Sequence, residues 1–425
     1  MYVSHNQHNI ITAVSAEPFN SNGQNIVKIH ITKDMDPNKL VGKLLNTKPK
    51  KQIKDLRVAA ICNWGDACGI ATYSKFLLDE VKKKVADLHI FSEIVPEDLP
   101  EEPNVTRCWK RGQSPTTLLE KLKKYDPDFV IVQHEFGIFP KAGYFLQLLQ
   151  GLEQYAYVLT LHSVYEHLDK AICTSAIKNI VVHTNEGKEV LRKTGNNNNL
   201  FVIPHGCVKI PPEERTELWN IFQTPYAIMQ FGFGFYYKGV DTILEAIAIL
   251  KKSFPEKYKE IFYCYLCSEN PHANTIHTNY YNFLMDRVKE LDIIENVAII
   301  RKFQTEQTIN HYLRTAKLAI FPYRSDPNNV VYGASGASRI AMANGIPVIV
   351  GKNHQFDDLE GVLPRAGTAQ ELADEIDKIF SNEKHKKEVI KRSLKYIENT
   401  TWDKCADKYL ALYEQVLPAN IFAKV

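Results

Sequence analysis

The 425-residue sequence contains no apolar run near the roughly 18 residues that a membrane-crossing helix requires. Its start, MYVSHNQHNI, lacks both the charged opening and the apolar core of a secretion signal, so a cytoplasmic protein is expected. Eight cysteines are too few for a disulfide framework in a chain this long. Cys264 and Cys267 form one C-x2-C pair inside the apolar run IFYCYLC. No second pair at zinc spacing completes a four-ligand site, which makes them buried strand thiols. A net charge of +3 gives little support to nucleic-acid binding. The basic stretches at 48–54, 82–84 and 384–392 read as solvated faces and linkers. No Asp-x-Asp cluster stands where one would be expected to hold a cation, so no metal is expected.

Two phosphate-loop signatures are also missing. The stretch FGFGFYYKGVDTILEAI, Phe231 to Ile247, places two glycines and a lysine ahead of an amphipathic run. A Walker loop needs Gly-Lys followed by Ser or Thr, whereas the order here is Lys238-Gly239. A dinucleotide fingerprint needs a third glycine where Tyr237 stands.

What remains has the composition of a soluble globular protein, 44% hydrophobic and 24% charged, and a length suited to two domains plus extras. From Leu56 on, short β-rich runs alternate with helical patterns. RVAAIC, LHIF, FVIVQ, YVLTL, NIVVH and LFVIP read as strands, mostly continuous apolar runs suited to parallel sheets covered on both faces. The alternation implies βαβ units. VKIPPEERTELWN, with its double proline, reads as a linker near 208–222. A second series follows, with strands YAIMQF, IFYCYL, VAII, LAIFPY and IPVIV. In the helix DTILEAIAILKKSF, Ile243, Leu244, Ile247 and Leu250 recur at helical spacing.

The expected organisation is therefore α/β, with one Rossmann-like domain over 56–208, a second over 223–385 and C-terminal helices over 386–425 crossing back to the first. Residues 1–55 form an extension whose segments NIITAV and NIVKIHIT, around the turn-rich FNSNGQN, suggest a β-hairpin. The run NNNN at 196–199 reads as a loop tip. Ligands of two such domains bind in the cleft beyond the carboxyl ends of their strands.

Four features gather at those ends. In NWGDACGIATY, Gly69 permits close approach at the start of a helix, as a ligand site or as a plain turn. In QHEFGIFP, the polar pair His134-Glu135 closes an apolar strand, either as an acceptor or sugar contact or as a hydrogen-bonded structural pair. His162 ends the strand of LTLHSVY, where it can hydrogen-bond a sugar or move a proton. In FPYRSDPNNVVYGASGASRIAMANGIPVIV, Ser335 and Gly336 lead small residues into a helix, whose N–H donors can bind an anion. Gly345 ends that helix and Pro347 begins the next strand.

The strings CGIATYSKFL, FVIVQHEFGIF, YVLTLHSVY, NIVVHTNEG, VIPHGC, QFGFGFYYKGVDTILEAI, FPYRSD, ASGASRIAMANGIPVIV and TWDKCADKYLALYEQVL follow one another from about Leu56 to Leu417. In that order they resemble the retaining glycosyltransferases of the GT-B fold, in the large family four (glycosyl transferases group 1) that uses nucleotide-activated sugars. The resemblance implies that Lys238 contacts the donor diphosphate and that His162 meets the transferred sugar. It also implies donor contacts from Gly69, Gly232, Tyr323, Ser335 and Gly336, with a nucleoside-diphosphate sugar as the donor and no metal. Three positions depart from the family pattern. Phe233 stands where an arginine is common, and Tyr332 and Ile340 where two glutamates are common. Arg324 is the expected replacement for the charge missing at Phe233.

A UDP- or GDP-type donor is expected, with a glycan, lipid, protein or modified DNA base as acceptor. The net charge of +3 gives a DNA acceptor little support, and a membrane acceptor would want a basic amphipathic face that does not stand out in the sequence. A nucleotide-sugar epimerase and a catalytically silent sugar-nucleotide-binding protein are the competing readings.

Overall fold

The computed structural model describes residues 2–5, 11–15, 25–28, 51–96, 98–165, 176–194, 199–215, 220–269, 274–326 and 330–417. At the N-terminus three short strands, β1 (Tyr2–His5), β2 (Ile11–Ser15) and β3 (Asn25–Lys28), form an antiparallel sheet in the order β2-β1-β3. The two alternating segments of the expected hairpin are thus its outer strands, and the opening residues lie between them.

The first large sheet contains β4 (Arg57–Cys62), β5 (Asp87–Glu93), β6 (Val105–Trp109), β7 (Phe129–His134), β8 (Ala156–Leu161), β10 (Asn179–Val182) and β11 (Asn199–Val202). Every pairing is parallel, in the order β11-β10-β8-β7-β4-β5-β6. The β4 and β7 runs are continuous and apolar because helices cover both sheet faces. Among these helices are α1 (Gly69–Lys82), α2 (Thr116–Tyr125) and α3 (Ala142–Leu152). Strand β6, VTRCW, was not among the strands expected; its first half is only half-buried and carries no apolar run. The tip of the NNNN run lies outside the described residues except Asn199, which opens β11.

The second sheet orders β14-β13-β12-β15-β17-β18, again all parallel. Its strands are β12 (Ala227–Phe233), β13 (Phe262–Ser268), β14 (Val297–Ile300), β15 (Leu318–Phe321), β17 (Val348–Gly351) and β18 (Arg365–Ala366). Cys264 and Cys267 are buried in β13, where burial pushes their thiols up to about 12 and about 11.

In each sheet the chain reverses its direction of travel at one place, between β4 and β7 in the first and between β12 and β15 in the second. The carboxyl ends flanking such a switch point splay apart and leave a crevice. Two short strands, β9 (Ser163–Val164) and β16 (Tyr332–Gly333), pair antiparallel and tie the domains together beside that crevice.

The chain crosses between domains twice. The outgoing and returning segments run side by side, with a bridge between Cys207 and Thr401. Helices α9 (Ala369–Ser381) and α10 (Glu383–Asn399) pack on the second domain, while α11 (Trp402–Ala411) packs on α1 of the first. The Tyr409 hydroxyl lies 3.1 Å from that of Tyr73 and 2.7 Å from Thr160 Oγ1, so the returning helix is hydrogen-bonded into the first core. Gly206 is required at the crossing, because a Cβ there would enter the Trp402 ring.

Candidate functional site

A cleft of about 560 Å³ lies between the two switch points. Of the residues expected to act, Gly69, Glu135, His162, Gly232, Lys238, Tyr323, Ser335 and Gly336 all line it. They come from six separate stretches of chain, brought together by the facing carboxyl ends of the two sheets.

Gly69 is the first residue of α1, and a Cβ at that position would meet no atom within 4 Å. Packing therefore does not demand glycine there, and the open space belongs to the cleft. At the end of β7 the pleat sends successive side chains to opposite faces. Glu135 reaches the cleft and accepts from Ser163 Oγ at 2.8 Å and from the Phe136 N–H at 3.1 Å. Burial raises its pKa, partly offset by those two donors.

His134 is a correction to its expected role as an acceptor or sugar contact. It points away from the cleft, 0% exposed, stacked on Phe139 and tilted against Phe145, with neither ring nitrogen partnered. Burial lowers its pKa from 6.5 to about 3. The folded protein thus keeps His134 neutral while the unfolded chain protonates below about pH 6.5, so this histidine leaves stability intact above that pH and erodes it as pH falls toward 3. His134→Phe removes that proton uptake. Urea midpoints measured at pH 7.5 and 5 should differ less for His134→Phe than for the wild type. Equal differences would contradict a buried neutral histidine here.

On the opposite wall a single 3-10 turn, Tyr236–Lys238, ends at Gly239, which adopts φ 65°. A Cβ there would collide with the Pro322 carbonyl, so this glycine lets the lysine loop lie flat on the strand end beside it. The Lys238 ammonium sits 3.9 Å from the Tyr323 ring centroid and 4.8 Å from that of Tyr237. Burial disfavours its charge, but the Tyr237 and Tyr323 hydroxyls outweigh this and its pKa lies above the usual lysine value.

Helix α8 (Gly336–Ala343) starts at the same wall; the longer helices between α3 and it, among the described residues, are α4 (Asn185–Lys193), α5 (Val240–Ser253), α6 (Asn274–Glu290) and α7 (Glu306–Thr315). Ser335 caps α8, and its hydroxyl donates to Tyr323 Oη at 3.2 Å. A positive dipole end, two small residues and Lys238 thus line one wall of the cleft.

Arg324 does not line the cleft. Its Nη2 donates to Asp241 Oδ1 at 2.5 Å and to the Tyr236 carbonyl at 3.1 Å, so it braces the lysine loop from behind. The arginine that does line the cleft is Arg339, 1% exposed, ion-paired with Asp358 and donating to the Ser335 carbonyl at 2.9 Å. Burial disfavours the charge on its guanidinium, and Asp358 outweighs that. Its signal in the sequence was a lone charge inside the otherwise small and apolar ASGASRIAMANG.

Phe233 and Ile340 line the cleft, whereas Tyr332 belongs to the interdomain ribbon and stacks on His354 at 4.4 Å. An apolar contact and a structural aromatic thus stand where glutamates are common in the resembled family.

An aromatic and imidazole cluster lies on the first-domain side of the cleft. The Tyr73 ring lies 4.5 Å from His162, 5.3 Å from His183, 5.0 Å from His205 and 4.9 Å from Trp402. His162 Nε2 is 2.8 Å from Gln133 Oε1, and His162 Nδ1 is 3.3 Å from His183 Nε2. Burial, then the neighbouring histidines, hold His162 well below 6.5. Tyr73, His183, His205 and Trp402 were not singled out from sequence as site residues. Each lies in one of the strings that carry the resemblance, so the signal was present but unassigned.

Residues 213–396 match the model of the family described as glycosyl transferases group 1. Among solved structures, sucrose-phosphate synthase from Thermosynechococcus elongatus is similar with a TM-score of 0.66 at 15% identity, over 86% of this chain and 100% of that one. A UDP-forming α,α-trehalose-phosphate synthase from Burkholderia xenovorans gives 0.65 at 12% identity, over 85% and 99%. The N-terminal domain of trehalose-6-phosphate phosphatase from Candida albicans gives 0.68 at 12% identity, over 87% and 99%. At these identities the structural matches speak for the fold. No curated protein matches.

Proposed function

We propose that this chain, with its match to glycosyl transferases group 1 at 213–396 and its GT-B fold, is a glycosyltransferase that moves a sugar from a nucleoside diphosphate to a hydroxyl acceptor with retention at the anomeric carbon. The observation that carries the proposal is the convergence of Lys238, Tyr323 and the start of α8 on one wall of the cleft, with His162 and Glu135 also lining it. One solved neighbour, from E. coli, is bound with UDP-2-fluoro glucose, and its fold matches this one with a TM-score of 0.65. That supports a sugar nucleotide as the donor class.

Breaking the anomeric bond places positive charge on the sugar ring and negative charge on the departing diphosphate. Lys238 and the N–H groups of α8 are fixed donors for that negative charge, already oriented before reaction, and so lower the barrier. His162 would face the transferred sugar, and Gly69 would let the diphosphate approach the first-domain wall. Glu135, with a raised pKa, suits contact with a hydroxyl more than with an anion. No helix among the described residues is long and apolar enough to cross a membrane.

This chemistry asks for no cation. Among the described residues no group of three or more His, Cys, Asp and Glu is placed to hold one. Because the proposal assigns the diphosphate charge to Lys238 and the N–H groups of α8, turnover should survive excess EDTA, and a loss of rate restored by magnesium or manganese would contradict it. The reading as a whole is tested by a thermal-shift screen of UDP- and GDP-sugars. A donor at a hundred times its dissociation constant adds about 2.7 kcal/mol of stability. Incubating a selected donor with candidate acceptors should then release free nucleoside diphosphate. Donor converted without any release would point instead to an epimerase, and binding with no conversion to a silent protein.

A further inference from the structure

The imidazole chain beneath the cleft has a direction. His183 is 2% exposed, and its Nδ1 lies 3.0 Å from the Ile203 carbonyl. A carbonyl only accepts, so Nδ1 of His183 carries the hydrogen. Burial lowers the pKa of His183 to about 4, which leaves the ring neutral near pH 7 and its Nε2 a bare lone pair. That lone pair faces His162 Nδ1 at 3.3 Å, a contact that is attractive only when His162 holds its own hydrogen on Nδ1.

We propose that His183 is a positioning residue that fixes His162 as the Nδ1-protonated tautomer and leaves Nε2 of His162 as an acceptor. The opposite arrangement would set a bare Nδ1 of His183 against the Ile203 carbonyl, two acceptors at 3.0 Å in a buried site. The assignment also reorients Gln133. Its amide oxygen is drawn 2.8 Å from His162 Nε2 while its amide nitrogen is buried without a partner. Exchanging the two amide ends turns that contact into a hydrogen bond from the amide NH2 to Nε2. The Ile203 carbonyl, the anchor of the chain, lies just before the outgoing interdomain segment through Cys207, so the tautomer is tied to how the crossing packs.

The consequence for transfer rests on the proposal that His162 meets the sugar: a sugar hydroxyl would then donate to Nε2, in competition with Gln133, and His162 would hold no proton there to give. The tautomer itself does not depend on that proposal, and the experiment reads it directly. Full-length protein labelled with 15N-histidine would be examined at pH 7.5 by long-range proton–nitrogen NMR, with His162→Gln identifying the His162 signals. The wild type should show His162 protonated on Nδ1. His183→Gln keeps an acceptor near the Nε2 position and loses the donor to Ile203, so it should retain that tautomer while melting at a lower temperature. His183→Asn keeps a donor near the Nδ1 position and loses the acceptor, so it should move at least half of His162 to the Nε2-protonated form.

A purely structural role for His183 would not separate tautomer from stability in this way. His162 protonated on Nε2 in the wild type would overturn the proposal, even if neither variant folds. An unchanged tautomer in His183→Asn would also overturn it. Loss of nucleotide-sugar turnover in screens of the wild type would bear on the function and leave these spectra unaffected.

Discussion

Lys238→Ala should lower turnover by roughly 10²–10³, the scale for losing one preorganised donor to developing negative charge. Donor binding should weaken too, because the diphosphate is charged before the reaction as well as during it. Folding should hardly change. The ammonium rests on the Tyr323 face at 3.9 Å, a contact worth about 0.5–1 kcal/mol where solvent has access. His162→Ala should differ, lowering turnover with less effect on donor affinity, since it would touch sugar and not phosphate. Donor affinity, turnover and melting temperature for both variants are the measurements. Wild-type kinetics in Lys238→Ala would mean that the lysine is only a loop residue beside a helix start.

Arg339→Ala should cost stability on a larger scale, about 3–5 kcal/mol, because it strands the Asp358 carboxylate in a largely buried site. Tyr396, whose hydroxyl lies 2.5 Å from the same carboxylate, would be left as its remaining partner. Replacing both ends, as in Arg339→Met with Asp358→Leu, should recover most of the loss, since an apolar pair of similar volume needs no charge buried. Urea denaturation of the single and double variants checks this. Donor affinity should fall in both, because Arg339 also holds the carbonyl of Ser335, the residue that caps α8 at the wall proposed to receive the diphosphate. A single variant as stable as the wild type would mean that solvent reaches Asp358 more freely than its surroundings allow.

Much of the fold was legible because its signals are local. RVAAIC, FVIVQ and YVLTL are strands buried on both sheet faces, and sustained apolar β-rich runs of that length have few other uses. Strand β6 escaped notice for the complementary reason: at the sheet edge it needs less apolar surface, and VTRCW does not alternate cleanly. The first strand of the N-terminal sheet was missed because four residues, YVSH, give too short a window for any period to emerge.

The candidate site divides along a different line. Gly69, His162, Lys238, Ser335 and Gly336 stand at strand ends or helix starts, positions that the order of elements already exposes to a cleft, and the sequence marked them. His134 and Glu135 are neighbours in sequence, and only the pleat of β7 decided which faces the cleft and which is buried against Phe139. Arg324 and Arg339 carry the same charge, and although Arg339 stands alone among small and apolar residues, no local pattern says which of the two reaches the cleft. Asp241 claims the first and Asp358 holds the second in the cleft wall, through contacts 83 and 19 residues distant in sequence.

By itself, then, the sequence determined the two parallel sheets, the helices that cover them and the loops at their carboxyl ends, because periodicity and turn chemistry act within a dozen residues. Tertiary structure alone decided that Tyr73, His162, His183, His205 and Trp402 share one cluster. Those five side chains come from an opening helix, three strand ends and a helix that returns from the far domain. Their meeting depends on the two crossings of the chain lying side by side at Cys207 and Thr401, a long-range packing that no local pattern encodes.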